Sequence, residues 1–412
     1  MSPAGGAAAA PGRAAWRGGD YFDLGLISAT HGLSDGFNNM LVPVLALIVA
    51  DLALSPVEAG ALLSAFSLAV FLFQYPLSLA ADATGRKKTV LVAGMGLSAA
   101  AFLLMGWAGS FAALLALAFV AGAGNTVYHP CGTALTAERF ASSRGFAISY
   151  QSLGGNIGTG IMPVGLAALA TLAGWRAAVA AFALPAAVLL PLVGARFPDR
   201  PRPRRPAEDG RRRGADSWEL TRRVIRNRNV ILLALTYTFR GMGTKGMIGF
   251  LPLLGAQRGG MSTAAIGLAV SLYFGMGAVT KPLMGFLYDR WGARSALFVP
   301  LAFTGAFALA MPFAPWEAAL IALAALAGLV SFVSPIVLTA TADLCEEEVL
   351  ASSVGVIYAC EGLSFVSPLV GGWLAGRFGL DASYVFFALA VWAGVAVSTM
   401  LPKGRGALGV SP

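Results

Sequence analysis

The sequence predicts an all-α polytopic membrane protein in which twelve transmembrane helices form two six-helix bundles related by pseudo-two-fold symmetry. The prediction depends on the composition, on twelve apolar stretches of membrane-spanning length, and on a short signature that recurs half a chain later. Apolar residues make up 57% of the 412 residues and charged residues only 12%. Because soluble domains carry roughly 25% charged residues, this composition excludes an ordinary soluble fold.

Twelve stretches are long and apolar enough to cross a bilayer, which takes about 20 residues of α-helix. We number them as spans 1 to 12. The segment before span 1 is rich in Ala, Gly and Pro and has no long apolar core, so we expect no cleaved signal peptide. The predicted spans are 24–50, 58–80, 88–110, 111–136, 145–170, 176–195, 230–255, 264–287, 294–313, 316–341, 351–376 and 382–402.

The basic residues predict the orientation of these spans. The chain has 29 Lys and Arg residues and a net charge of +9. Of these, 23 lie in the tails or in loops that follow even-numbered spans, 3 lie in the opposite loops, and 3 lie within spans. Because Lys and Arg accumulate on the cytoplasmic side, we expect both termini in the cytoplasm and a plasma membrane of the bacterial inner-membrane type. The same distribution argues against nucleic acid as a partner.

A basic connection between spans 6 and 7 predicts the domain boundary. Twelve arginines crowd residues 196–228, and four prolines prevent a regular helix in the first part of that stretch. We expect a flexible linker whose basic face rests on anionic lipid headgroups, with a solvated tether that serves as a topology signal as the alternative. The predicted organisation is a disordered cytoplasmic tail (1–22), an N-terminal bundle (23–195), a basic cytoplasmic linker (196–229), a C-terminal bundle (230–402) and a cytoplasmic tail (403–412).

A repeated signature predicts that the two bundles are copies of one unit. The run Asp82-Ala83-Thr84-Gly85-Arg86-Lys87-Lys88 returns as Asp289-Arg290-Trp291-Gly292-Ala293-Arg294, with the aspartates 207 positions apart (289 − 82). His129-Pro130 in span 4 aligns with Ser334-Pro335 in span 10 at an offset of 205 (335 − 130). Parallel halves of this kind are typical of secondary transporters, which place a substrate site between the halves and expose it to each side in turn.

The first copy resembles the Gly-x-x-x-Asp-x-x-Gly-Arg-Lys signature of the major facilitator superfamily, although Ser78 replaces its first glycine. The second copy keeps that glycine and the aspartate but has Ala293 at the arginine position. Within this superfamily, three strings are similar to the fosmidomycin-resistance group of drug exporters. They are His31-Gly32-Leu33-Ser34-Asp35, Tyr128-His129-Pro130 and Gln151-Ser152-Leu153-Gly154-Gly155-Asn156.

The resemblance implies a gating role for the signature rather than contact with substrate. A carboxylate at a helix end can pair with basic residues of its loop and with helix ends of the other half, and so hold one side closed. The alternative is that these charges only fix the topology. The expected gating residues are Asp82, Gly85, Arg86, Asp289 and Arg290.

Ionisable residues within the spans are the strongest functional candidates, because a charge at the bilayer centre costs at least ~2.5 kcal/mol. His31 and Asp35 are four residues apart and therefore share one face of span 1. His129 in span 4 and Glu361 in span 11 complete the predicted set of proton-coupling residues. Carboxyl groups and histidines whose solvent access changes can bind and release a proton. The alternative for each histidine is a hydrogen-bonded packing role.

Polar residues near these groups are the predicted substrate ligands. Asn38 continues the stripe of span 1, and Arg240 aligns with His31 in the repeat. Arg240 and Lys245 are five residues apart, so we do not expect them on one helix face. Glu361 has the alternative of a permanent ion pair with Lys281 or Arg240. The predicted substrate-binding residues are Asn38, Asn39, Asn125, Gln151, Arg240 and Lys281.

Three functional hypotheses follow. The first is a proton-driven exporter of small amphipathic or antibiotic-like molecules. The second is a proton-coupled carrier of small organic anions, because the spans contain three cationic residues and only two carboxylates. Ala118 also stands where many drug antiporters of the superfamily carry an arginine, so proton antiport is supported only by the narrower resemblance. The third is a membrane protein that senses a ligand or assembles with a partner without transport.

An enzymatic function has little support in the sequence. No Gly-rich phosphate loop follows a strand, and the three cysteines lack the spacing of metal ligands. We therefore expect no cofactor and no metal. The expected partners are a small-molecule substrate, protons and membrane lipids, and the protein is expected to function as a monomer.

Overall fold

The computed structural model of the chain describes residues 16–201, 222–346 and 349–403, and the regular structure of these residues is helical. The predicted tails lie partly outside the described residues, as does most of the predicted linker. The helices are α1 Gly18–Phe37, α2 Leu45–Asp51, α3 Pro56–Thr84, α4 Lys87–Met105, α5 Phe111–Asn125, α6 Tyr128–Arg139, α7 Arg144–Ala183, α8 Ala186–Arg196, α9 Arg228–Gly259, α10 Thr263–Ala310, α11 Glu317–Ser331, α12 Ser334–Leu344, α13 Leu350–Gly362, α14 Val366–Phe378 and α15 Leu380–Ser398.

These helices make twelve crossings, as predicted. Eight helical segments have the length and composition of membrane spans, and two of them, Ala141–Arg196 and Thr263–Phe313, are long enough to cross twice. Each of the two turns back at a glycine with non-helical backbone angles, Gly174 or Gly292. The other two crossings are spans 1 and 7, which carry Asp35 and Arg240 within their membrane-spanning parts.

The backbone itself repeats. Six residues of the described chain have positive φ, and all six lie between consecutive spans. They form three pairs at offsets of 207 (260 − 53), 207 (292 − 85) and 205 (379 − 174), the same offsets that the sequence motifs show. The pairs are Ala53 and Gly260 (φ 49° and 54°), Gly85 and Gly292 (66° and 69°), and Gly174 and Gly379 (81° and 86°). Equivalent turns thus connect equivalent spans in the two halves.

One of these turns allows a stability prediction, because Ala53 is the member of the set that carries a side chain. A positive φ costs an L-residue roughly 1–2 kcal/mol, whereas glycine adopts it freely. We expect Ala53→Gly to raise the free energy of unfolding by about 0.5–1 kcal/mol and Gly260→Ala to lower it by about 1–2 kcal/mol. Thermal unfolding of the purified protein in detergent measures both. Equal midpoints for the two variants would contradict this assignment of backbone strain.

Spans 1, 4 and 10 are among the spans that the sequence predicts as continuous and that the structure interrupts near their middle. Span 1 breaks between α1 and α2, span 4 at Thr126–Val127, and span 10 at Phe332–Val333. A proline lies in or just after each break, and proline cannot donate the hydrogen bond of a helix interior. The prolines are Pro43, Pro130 and Pro335. The breaks in spans 4 and 10 are related by the repeat.

Ion pairs identify the two ends of the bundle. On the terminal side, where α1 begins and α15 ends, buried Asp23 binds Arg139 at 2.9 Å and Arg196 at 2.6 Å, which ties span 1 to spans 4 and 6. On the opposite side, which we call the distal side, Asp51 binds Arg176. The helix α1 begins at Gly18, inside the predicted tail 1–22, because the backbone N–H of Arg17 donates to the Asp20 carboxylate at 2.9 Å and caps the helix.

The two halves meet mainly on the distal side. A Cβ atom added to Gly60 in span 2 would lie 2.2 Å from the carbonyl oxygen of Pro368 in span 11. We call this contact the span 2–11 seam. In a second seam, between spans 5 and 8, the backbone N–H of Val164 donates to the hydroxyl of Ser271 at 2.9 Å.

The apolar core has the same asymmetry. One cluster of buried side chains runs through the N-terminal half and the distal part of the C-terminal half. The terminal part of the C-terminal half has a separate cluster. Toward the terminal side, Tyr75 of span 2 and Phe286 of span 8 are exposed. The structure is therefore a distal-closed state.

Candidate substrate and proton site

Span 1 and span 4 bring three predicted proton-coupling residues together. The two carboxylate oxygens of Asp35 face two imidazoles: Nε2 of His31 lies 3.4 Å from Oδ2, and Nε2 of His129 lies 3.3 Å from Oδ1. His31 is buried, Asp35 is about one-fifth exposed, and His129 is about half exposed. The three side chains, which we call the trio, thus extend from the protein interior toward accessible space.

The hydrogen bond at Nδ1 of His31 determines whether Nε2, which faces Asp35, is a donor or an acceptor. Nδ1 of His31 lies 2.8 Å from the backbone carbonyl oxygen of Gln151. A carbonyl oxygen can only accept, so Nδ1 must carry a hydrogen. Nε2 of a neutral His31 is then an acceptor that faces a carboxylate oxygen, and it has no hydrogen-bond partner. Two facing acceptors become favourable only when a proton lies between them.

Buried polar residues behind the trio hold it in place. Gln151 donates from Nε2 to the Tyr128 hydroxyl at 3.0 Å, and that hydroxyl donates to the carbonyl of Ile27 at 2.6 Å. The Tyr128 ring stacks on His31 with centroids 5.0 Å apart. Gln151 is 1% exposed and lies behind the cavity wall, and its role as a substrate ligand stays a prediction.

Span 5 approaches the trio closely because Gly155 has no side chain. A Cβ atom at Gly155 would lie 2.5 Å from an Asp35 oxygen and 2.8 Å from the His31 ring. Small residues allow such close approach between transmembrane helices. The glycines of span 5 are therefore part of the support of the trio.

Asn125 also lies behind the wall of the site rather than on it. It is 2% exposed and donates to the Ser34 carbonyl at 3.1 Å and to the side chain of Asn38 at 3.3 Å. Asn38 and Asn39 follow the end of α1, and both line the cavity. Of the predicted asparagines, Asn38 and Asn39 face the cavity, and Asn125 lies behind Asn38 and is hydrogen-bonded to it.

A cavity of about 200 Å³ lies between the halves beside Asp35. Lys281 of span 8 crosses from the C-terminal half and donates to Asn156 of span 5 at 2.7 Å. This bond and the carboxylate of Asp35 place charged groups of opposite sign on the same wall. The lining residues are Asp35, Asn38, Asn39, Asn156, Thr159, Phe274, Ala278, Lys281 and Phe332.

Five of these lining residues were not selected from the sequence. Asn156 and Thr159 are polar residues three apart in an apolar span, so a search for polar rather than ionisable residues on one helix face would have found them. Phe274, Ala278 and Phe332 carry no such signal, because apolar residues are common throughout the spans.

The remaining predicted ionisable residues form a second cluster in the C-terminal half. Oε1 of Glu361 lies 3.5 Å from Nη2 of Arg240 and 3.7 Å from Nζ of Lys245. The sequence predicts that Arg240 and Lys245 lie on different helix faces. Their long side chains nevertheless both reach the carboxylate of Glu361, one from each side. Of the two partners considered for Glu361, the contacts of the structure favour Arg240, while Lys281 is directed at Asn156.

The signature loop between spans 2 and 3 is organised within its own half. Lys87 binds Glu138 at 2.7 Å and Asp82 at 3.5 Å, and Gly85 supplies the left-handed turn that ends α3. Arg86 is exposed. In the second copy, Asp289 and Arg290 are exposed at the terminal end of span 8. The gating role of these five residues stays a prediction.

The trio also has the donor spacing of a metal site. One ligand atom of each side chain lies within 4.8 Å of the others. Imidazole and carboxylate groups are ordinary ligands of Zn²⁺. A metal ion would occupy the same place as the shared proton, so the expectation of no metal stays a prediction.

Comparisons with known proteins agree with this architecture. The model of the Major Facilitator Superfamily matches residues 27–265 and 233–407 of the chain. The fosmidomycin resistance protein of Escherichia coli (strain K12) is 28% identical over 141 residues, which is 34% of this chain and 34% of that protein. The matched region therefore spans about a third of that relative.

Solved structures share the fold at low identity. A bacterial homologue of the human lysosomal transporter Spinster, inward-facing and unoccupied, superimposes with a TM-score of 0.80 at 15% identity and covers 94% of this chain and 97% of that chain. The peptide transporter POT in complex with sulfate has a TM-score of 0.74 at 14% identity, over 92% of this chain and 93% of that one. A mutant of the nucleoside transporter NupG has a TM-score of 0.75 at 13% identity, over 92% and 98%.

Proposed function

Because the chain belongs to the Major Facilitator Superfamily, we propose that it exports small amphipathic or antibiotic-like molecules in exchange for protons, by alternating access of the cavity between its halves. The family makes it a membrane transporter of small molecules and not an enzyme. Proton coupling, direction and substrate are the proposed part. In this proposal the basic terminal side is cytoplasmic, and the distal-closed state opens toward the cytoplasm.

The trio is the observation that carries the proposal. His31 and Asp35 present two acceptors to each other, and this arrangement needs a proton. His129 adds a second imidazole on the exposed side of the same carboxylate, so a proton can reach Asp35 from the cavity. A substrate that binds beside Asp35 in this cavity would change the free energy of holding that proton. Such mutual influence between two ligands is the thermodynamic basis of coupling.

The direction of transport is supported by the resistance relative. That protein is named for resistance to fosmidomycin, and its match covers a third of each chain. Removal of a toxic compound from the cytoplasm is the simplest way in which a transporter confers resistance. Export is accordingly the direction that we propose.

The test is transport by the purified protein in liposomes with a pH-sensitive dye inside. Fosmidomycin and the lipophilic cation tetraphenylphosphonium are suitable first probes. We expect a gradient of at least one of them to move protons in the opposite direction, and an imposed pH gradient to drive its accumulation. Flux of the probes that ignores the pH gradient would contradict proton coupling.

A second candidate function, proton-coupled carriage of small organic anions, is favoured by the cations of the C-terminal half. Lys281 lies on the cavity wall, and Arg240 and Lys245 share a single carboxylate. Positive walls raise the local concentration of anions. In the same liposomes, benzoate flux lost on Lys281→Ala, with tetraphenylphosphonium inert, would favour this candidate over the first.

A further inference from the structure

Both histidines of the chain lie at one carboxylate. The 412 residues contain two histidines, and spans 1 and 4 bring them to opposite oxygens of Asp35, with Nε2 of His31 at 3.4 Å and Nε2 of His129 at 3.3 Å. Two imidazole nitrogens and a carboxylate are an ordinary donor set for Zn²⁺ and related transition-metal ions. Both imidazoles of the chain are thus placed at a single group that can bind a cation.

The distances from the histidines to Asp35 match the spacing of ligands around a metal ion. In proteins Zn²⁺ lies about 2.0–2.2 Å from imidazole nitrogens and carboxylate oxygens, so two ligands at a tetrahedral angle are roughly 3.4 Å apart. Both histidines keep this separation from an oxygen of Asp35. The three donors are separated by at most 4.8 Å, and His129, whose side chain is about half exposed, has room to move closer.

The ring of His31 already has the orientation of a metal ligand. Its Nδ1–H donates to the backbone carbonyl of Gln151 at 2.8 Å, and the ring stacks on Tyr128. A metal-binding histidine characteristically donates its second ring N–H to a carbonyl or carboxylate, which fixes the tautomer and directs the other nitrogen at the ion. His31 is 9% exposed, and its Nε2 is buried without a hydrogen-bond partner. A buried acceptor of this kind is unfavourable until a ligand reaches it.

The trio is open toward the cavity on one side. Asp35 lines the cavity of about 200 Å³ between the halves. Three protein ligands leave a further coordination position, which water of the cavity can fill. The cation on the same wall, Lys281, donates to Asn156 at 2.7 Å, so its ammonium group has an oxygen partner other than Asp35. A metal ion can therefore enter from the cavity.

We propose that the trio is a binding site for a divalent transition-metal ion of the Zn²⁺ class. The ion lies between Nε2 of His31 and the carboxylate of Asp35, and His129 supplies the third ligand. Mg²⁺, which prefers six oxygen ligands, is a poor match for this donor set. The spacing of residues along the chain did not predict this site, because its ligands come together only when spans 1 and 4 pack.

The binding test uses Co²⁺ as a spectroscopic substitute for Zn²⁺. The full-length protein is purified without a histidine tag, and its three cysteines are replaced by serine so that no thiol binds the metal. Co²⁺ with four or five ligands of this kind absorbs visible light much more strongly than Co²⁺ in water. We expect one Co²⁺ per chain, and we expect Zn²⁺ but not millimolar Mg²⁺ to remove the absorption.

Variants of the ligands identify the site. His129→Gln and Asp35→Asn each remove one donor, and Asp51→Asn, which alters the carboxylate paired with Arg176 on the distal side, is the matched control. Loss of a group that merely supports a metal ligand weakens binding roughly 10- to 100-fold, so we expect loss of a ligand to weaken Co²⁺ binding by at least this factor. Affinity should be unchanged in the control.

A second readout does not depend on the folding of any ligand variant. Because the chain has two histidines, the imidazole nitrogens coupled to a bound Cu²⁺ ion can be assigned without mutation. Pulsed electron paramagnetic resonance of Cu²⁺ bound to the cysteine-free protein should show two coordinated imidazoles. A signal from fewer than two would mean that the ion lies elsewhere.

Under the proposed exchange, a bound metal ion should stop transport, because it leaves none of the three side chains free to bind a proton. In the liposome assay, we expect Zn²⁺ at ten times its Kd to reduce substrate-driven proton movement about tenfold, as occupancy of one site requires. A chelator should restore the movement, and the same concentration of Mg²⁺ should leave it unchanged.

Three results would overturn the metal site. They are no change in the absorption of Co²⁺ at millimolar concentration, a Cu²⁺ signal with fewer than two imidazoles, and equal Co²⁺ affinity in His129→Gln and Asp51→Asn, which would show adventitious binding only. These measurements are made without transport. If the protein moves no protons in the absence of Zn²⁺, the proposed exchange fails, whereas the metal site is decided by the binding results.

Discussion

Asp35→Asn is expected to abolish proton-coupled transport while leaving the protein folded. Asparagine has nearly the same shape as aspartate, and its amide N–H can donate to Nε2 of His31, but it cannot bind and release a proton. It also removes the negative charge that faces His129. We expect substrate-driven proton movement in liposomes to fall by roughly 100-fold, the equivalent of about 2.7 kcal/mol.

The matched control for this substitution is Asp51→Asn. Asp51 is a carboxylate of the same chain that pairs with Arg176 on the distal side, away from the cavity. The control should retain most of the proton movement of the wild type. Proton movement at the wild-type rate in Asp35→Asn would show that the trio does not couple protons to transport.

Gly60→Val is expected to open the distal side. The helices of the span 2–11 seam approach so closely that a Cβ atom at Gly60 would lie 2.2 Å from the carbonyl oxygen of Pro368. A valine there forces the backbones apart, and overpacking of this kind costs about 1–3 kcal/mol. Because only the distal-closed state contains this contact, the equilibrium should shift toward the distal-open state by about 5- to 150-fold.

The shift can be measured with a cysteine in the cavity. Thr159→Cys, in a background in which the three native cysteines are replaced by serine, places a thiol on the cavity wall. A membrane-impermeant maleimide added from the distal side should label it faster in Gly60→Val than without that substitution. Gly96→Val is the control, because a Cβ atom there meets only Leu190 at 3.9 Å. Equal labelling rates in the two valine variants would contradict the role of the seam.

The duplicated architecture could be predicted because its signals are local in sequence. Apolar stretches of the right length give the spans, and the motif at Asp82 and Asp289 gives the repeat. The structure repeats the same offset in its backbone, where Gly85 and Gly292 adopt matching positive φ angles. A turn with positive φ favours glycine, so it can be predicted from the sequence without knowledge of the tertiary packing.

The trio could be predicted only in part. A spacing of four residues on a helix places His31 and Asp35 on one face, and the structure shows them 3.4 Å apart. That His129 reaches the other oxygen of the same carboxylate depends on how spans 1 and 4 pack. All three residues are recognisable in the sequence as ionisable groups within spans, but the contact of His129 with Asp35 is not.

Burial behind the site could not be predicted from residue type. Gln151 and Asn125 are polar residues within spans, which makes them equally suited to bind a substrate or to hold another side chain. The structure shows both buried: Gln151 is hydrogen-bonded to Tyr128, which stacks on His31, and Asn125 is hydrogen-bonded to Ser34 and Asn38 of span 1. A polar residue within a span thus indicates where the site lies, but not whether that residue faces the cavity or is buried behind its wall.

Long side chains limited the prediction of the second cluster. Helical spacing describes where Cβ atoms point, and on that basis Arg240 and Lys245 diverge. Their side chains extend far enough to converge on Glu361. An ion pair of this kind depends on the length of the side chains and cannot be predicted from helical periodicity.

Alternating access requires the two halves to move as rigid bodies about the cavity, and paired distances test this motion most directly. Spin labels at Trp107 and Trp316 report the distal separation, and labels at Ser142 and Ala342 report the terminal separation; all four positions are exposed. We expect the distal distance to lengthen and the terminal distance to shorten together when Gly60→Val is compared with the unmodified seam. A distal distance that lengthens while the terminal distance stays the same would show a local distortion and contradict alternating access of these halves.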